Sequence, residues 1–166
     1  MSFPAYDPSP WTALFTATAS TSAGLTGLVF VAVSINIRAI LKGPGLPERA
    51  LEPLILLLGA LAVSILALIP RQGPTVLGIE LATESVLRTT AVALLINDGR
   101  KRPQMRRSWL IGRSALATLG TAPFMIGSAS LLTRHGGGLI WIAAGILGAI
   151  LGAAYSAWIV LIEILR

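Results

Sequence analysis

Glu80, Glu84 and Arg88 recur every fourth residue in a segment, Glu80-Leu81-Ala82-Thr83-Glu84-Ser85-Val86-Leu87-Arg88, whose other members are apolar or small. On a helix this spacing stacks the three ionisable groups on one face over about two turns. Glu84 and Arg88 are in the favourable order for an i, i+4 ion pair, which leaves Glu80 without a base on its own helix. Two acids and one base make an acidic excess, and a path lined by such a stripe favours cations over anions. A divalent-metal site at Glu80 and Glu84 is the weaker alternative, because two carboxylates are too few for a hard cation without further ligands. A purely structural reading is also open, in which Glu84 and Arg88 pair inside or between subunits and Glu80 reaches the outer surface.

Stronger chemistry finds no footing. With one histidine and no cysteine in 166 residues, the usual nucleophile and base pairs cannot be assembled. No P-loop, GxSxG, HExxH or dinucleotide fingerprint is present. The lone His135 lies in a Gly-rich turn and reads as a solvated loop residue. No cofactor is expected.

The elements that position the stripe belong to a membrane protein. A hydrophobic fraction of 54% against 12% charged residues is wrong for a soluble domain. Five mostly apolar stretches, about 11–41, 51–69, 75–96, 109–132 and 139–165, each approach or exceed the roughly 20 residues needed to cross a bilayer. The sequence therefore predicts one all-α transmembrane domain, residues 1–166, with five spans. No Lys or Arg precedes Arg38, so the basic n-region of a signal peptide is missing and the first apolar segment is expected to be retained.

Orientation follows from the basic residues. In alternate loops Arg38, Lys42, Arg49, Arg100, Lys101, Arg102, Arg106, Arg107, Arg113 and Arg166 fall on one side, and only Arg71 and Arg134 on the other. This places the N-terminus outside and the C-terminus in the cytoplasm. The net charge of +6 is thereby explained by topology, with no nucleic-acid partner implied. With that direction, and Pro74 as the outer boundary, Glu80 lies about 9 Å, Glu84 about 15 Å and Arg88 about 21 Å into the third span. Each ionised group at such depth costs on the order of 3 kcal/mol, so the stripe must face protein or water.

Other features refine the expectation. In the first span Thr18, Ser22 and Thr26 form a hydroxyl stripe at a depth similar to the acids, a candidate second wall of an ion pathway. Thr16, Ser20 and Gly24 have small-xxx-small spacing and predict helix packing. The second span, with Pro53 in its first turn, Gly59 and Ser64, reads as lipid-facing scaffold. Pro123 predicts a kink in the fourth. In the fifth, Gly148, Gly152 and Ser156 make a small face for close helix contact, within or between subunits. Glu163 snorkels or pairs near Arg166 at the inner boundary. The cluster Arg100, Lys101, Arg102, Arg106 and Arg107 reads first as a topology signal and otherwise as a contact for anionic lipid.

Two functions fit. One is a homo-oligomeric, cation-selective channel or ion-conducting protein, with Glu80, Glu84, Arg88, Thr18, Ser22 and Thr26 along the route and an inorganic cation or proton as its partner. Five short spans enclose little volume, so a pore is easier to build around a symmetry axis. The other is a non-transporting accessory or assembly subunit of a larger membrane complex. Either is expected in the cell membrane, the bacterial inner membrane by the general look of the chain.

Overall fold

The computed structural model describes residues 4–43, 45–100 and 107–164. Every regular element among them is helical. Two short 3-10 turns, Pro4–Tyr6 and Ser9–Trp11, lead into α1 (Thr12–Ile35), α2 (Ile37–Lys42), α3 (Leu46–Ala67), α4 (Pro74–Arg100), α5 (Arg107–Thr133) and α6 (Leu139–Ile164). The five long helices match the five predicted stretches to within a few residues. Among the described residues, three of them are both long and apolar enough to cross a membrane: α1 with its leading turn (Ser9–Ile35), α3, and α6 to Glu163. The chain is thus an all-helical protein with the build of a membrane-embedded one.

The first predicted span is broken at Asn36, where the side-chain amide donates to the Ala32 carbonyl at 2.9 Å and α1 gives way to the short α2. The second begins earlier than expected. Gly45 takes a left-handed φ of 81° and Pro47 sits in the first turn, so α3 starts at Leu46 and Pro53 lies in its interior. There it leaves the Arg49 carbonyl without its usual helix partner.

α3, α4, α5 and α6 pack in a ring, each against the next, and α1 lies on the outside of α3. The expectation that α3 is lipid-facing scaffold is wrong. Leu56, Leu57, Ala60 and Val63 are at most 1% exposed and join Leu77 and Leu81 of α4, Phe124 and Leu131 of α5, and Ile142, Ile146 and Ala149 of α6 in one core. Apolar side chains do not distinguish protein from lipid; in α3 the buried faces are marked by its small and polar residues Gly59 and Ser64.

The small faces of α6 and α1 divide the same way. Gly152 and Ser156 are buried within the chain, with Gly152 in reach of Leu56, while Gly148 is half-buried. Ala149 and Ala153, on the neighbouring stripe, are fully enclosed. By contrast Thr16, Ser20 and Gly24 are exposed, and a Cβ at Gly24 would meet nothing within 4 Å, so the predicted packing stripe of α1 makes no contact inside this chain.

The Gly-rich turn from Thr133 to Gly138 is tied down by hydrogen bonds. Gly136, Gly137 and Gly138 supply positive φ angles, Gly137 N–H donates to the Tyr6 hydroxyl at 3.2 Å, and Gly138 N–H donates to Ser130 Oγ at 2.8 Å. His135 is exposed, as a solvated loop residue. The N-terminal lead is closed by Asp7, which accepts from the Ser9 hydroxyl and the Ser9 N–H; these bonds hold its carboxyl below the ordinary value. Their contribution is full above the ordinary carboxylate range and is lost as pH falls through the lowered value.

A Cβ at Gly138 would stand 2.2 Å from the Ala5 carbonyl oxygen, on a residue with φ of 47°. Gly138→Ala should therefore cost about 1–3 kcal/mol in detergent unfolding. Gly24→Ala should be neutral or stabilise by up to about 1 kcal/mol.

Candidate functional site

Glu84 and Arg88 point into the helix ring, and the face of α4 they leave outward is apolar or hydroxylated. Val76, Ile79, Val86, Leu87 and Leu94 are exposed large hydrophobics. Thr83 and Thr90, also exposed, donate to the carbonyls of Ile79 and Val86 four residues back. The hydroxyls are thereby satisfied within the helix.

At the centre, Arg88 Nη2 lies 3.1 Å from Glu84 Oε2, and the two side chains are 2% and 14% exposed. The guanidinium sits 3.9 Å from the centroid of the Phe124 ring of α5. That is within cation–π range, an attraction that strengthens when the cation is desolvated. On the other side the pair fills a notch at Gly59 of α3. A Cβ there would fall 2.5 Å from Arg88 Cδ, 2.7 Å from Nη1 and 2.9 Å from Glu84 Oε1. Phe124 in turn needs Gly145 of α6, where a Cβ would approach its ring to 2.8 Å. One layer thus joins Gly59, Glu84, Arg88, Phe124 and Gly145, and through them all four helices of the ring.

Glu80 stands apart from this layer. It is half-buried nearer the N-terminal end of α4, and its Oε2 accepts from Gln72 Nε2 in the connection between α3 and α4. The residue without a base on its own helix therefore has a neutral amide as its partner.

The hydroxyl stripe of α1 goes elsewhere. Thr18 Oγ1 is 2.8 Å from Ser64 Oγ of α3, and each hydroxyl also lies within hydrogen-bond reach of a carbonyl of its own helix, Phe15 for Thr18 at 3.1 Å and Ala60 for Ser64 at 2.8 Å. Thr26 donates to the Ser22 carbonyl at 2.7 Å. Thr18 and Ser22 are buried, two of the three buried residues of α1. Ser64 and Gly59 are separated by about 140° around α3. The stripe and the charged layer accordingly occupy different faces of that helix and are not brought together.

Phe124 and Gln72 escaped sequence reasoning, since ring and amide become partners only through tertiary packing. Gly59 was visible as the glycine in a Leu-rich run, but not as the notch that the pair fills. Glu52 is a further buried carboxylate of α3, at 4% exposure. Near the end of α6, Glu163 pairs with Arg49 and ties α6 to α3. The basic cluster Arg100, Lys101, Arg102, Arg106 and Arg107, together with Arg113, lies outside the residues whose side chains are described. Among the described residues, no group of three or more His, Asp or Glu is placed to hold a metal ion.

No family model, curated protein or solved structure matches this chain.

The arrangement makes a strong energetic prediction. Removing one member of a buried ion pair strands the other, at about 3–5 kcal/mol, whereas replacing both by apolar residues is often near neutral. In a double-mutant cycle by detergent unfolding, Arg88→Met and Glu84→Leu should each destabilise by that amount and the double variant by much less than their sum. Gly59→Ala should cost about 1–3 kcal/mol by forcing the pair out of its notch.

Proposed function

We propose that the chain is a non-conducting accessory or assembly subunit of a larger membrane complex, crossing a cell membrane five times with its N-terminus outside. The observation that carries this reading is the Glu84–Arg88 pair, closed between Gly59 and Phe124 in the interior of one subunit. Opposite charges 3.1 Å apart largely offset one another and leave little net charge to attract a passing ion.

The way α4 is turned supports five spans. Its ionisable residues count against it on composition, but Glu84 and Arg88 face protein and its outward face is compatible with lipid. α5 exposes Met125, Ile126 and Leu132 in the same manner. The positive-inside count then orients the bundle, in a bacterial inner membrane on this reading.

Partner docking falls to α1. It is the least enclosed of the three strongly apolar helices, with 11% of its central window buried against 56% for α3. Its outward ridge of Thr16, Ser20, Gly24 and Gly27 leaves room for a second backbone to approach. The homo-oligomer expected above was motivated by the need for a pore, and that motive goes with the pore.

The channel reading retains one observation, the half-buried Glu80 whose partner is neutral. Purified protein in liposomes decides between the two. The accessory reading expects cation flux equal to that of empty liposomes across voltage, pH and cation; flux that Glu80→Gln or Glu84→Gln suppresses would establish the channel. The same reading expects Gly24→Leu to leave the unfolding midpoint unchanged while shifting the protein from a larger assembly to the single chain on native gels of gently solubilised membranes.

A further inference from the structure

Near the cytoplasmic end of the bundle α1 and α6 diverge over the first turns of α3, and the gap is an apolar groove of about 190 Å³. Ala32, Val33, Ile40, Pro53, Ala157 and Val160 form its walls. The volume exceeds the ~150 Å³ of an apolar cavity that binds benzene. A groove of this size, lined by aliphatic side chains, accepts a stretch of a hydrocarbon chain.

Charge supplies the second half of a lipid site. Ile40 of α2 is 1% exposed and turns into the groove, while Arg38 and Lys42, i and i+4 on the other side of the same short helix, are exposed within one turn of it. Just beyond Ala50 and Val160, the Arg49–Glu163 pair closes the floor between α3 and α6. An apolar slot flanked by two exposed cations matches an acyl chain joined to a negatively charged headgroup.

We propose that this groove holds an acyl chain of an anionic phospholipid drawn from the surrounding leaflet, with the headgroup at Arg38 and Lys42. The site is distinct in sequence from the basic cluster Arg100, Lys101, Arg102, Arg106 and Arg107. It rests on the membrane-embedded orientation proposed above and not on the non-conducting reading, and ion flux is no part of its test.

The experiment is native mass spectrometry of protein released from nanodiscs of equal phosphatidylglycerol and phosphatidylcholine. The wild type should retain phosphatidylglycerol in preference. Removing the charges with Arg38→Gln and Lys42→Gln should lower that preference about fivefold for each residue, to near parity in the pair. Ala157→Phe, which fills the slot, should lose both lipids; Ala32→Phe, from the opposite wall, serves if the first variant does not fold. Equal retention of the two lipids by the wild type, or full retention by a folded groove-filling variant, would overturn the proposal. Failure to incorporate into nanodiscs at all would instead count against the membrane reading on which it stands.

Discussion

An arginine in the middle of an apolar helix bundle must find a counter-charge, and the packing around Arg88 follows from that requirement. The Glu84 carboxylate one turn earlier neutralises it, and the Phe124 ring offers a π face. Neither contact is possible unless the neighbouring helices give way, which they do at Gly59 and Gly145. The polar centre thereby dictates where four helices are narrow and how closely they approach. An apolar layer of equal volume would hold the ring together too, but without fixing the register of α4 against α3 and α5.

The same inward polarity makes the middle of α4 compatible with an apolar surrounding. Glu80, Glu84 and Arg88 share one side of that helix, and the opposite face is built of Val, Ile, Leu and back-bonded Thr. Average hydropathy over the helix hides this division, because it sums the two faces. α1 shows the reverse arrangement. Its inward Thr18 and Thr26 hydroxyls bond Ser64 and the helix backbone, Ser22 Oγ is buried with no hydrogen-bond partner among the described residues, and the remaining surface of α1 is open.

Much of this was legible in the sequence. Five long helices, the pairing of Glu84 with Arg88, the solvated place of His135 and the inward burial of Gly152 and Ser156 follow from periodicity and spacing. What escaped depends on contacts between helices. Leucines and valines look alike whether they meet lipid or protein, so α3 passed for scaffold although it touches α1, α4 and α6. Depth along a span places Thr18 beside Glu84, but depth carries no azimuth, and the two residues lie around different faces of α3. Three consecutive glycines suggest freedom, yet here their positive φ angles build a fixed turn against Tyr6 and Ser130.

The central claim is that Glu84 and Arg88 form a closed pair within one chain, out of reach of water. Water-edited solid-state NMR of the protein in lipid bilayers, labelled at arginine and glutamate, reads this directly. The account predicts an Arg88 guanidinium signal that correlates with the Glu84 carboxylate and the Phe124 ring and gains intensity from water slowly. Rapid transfer from water to Arg88 or Glu84, with no correlation between them, would contradict it.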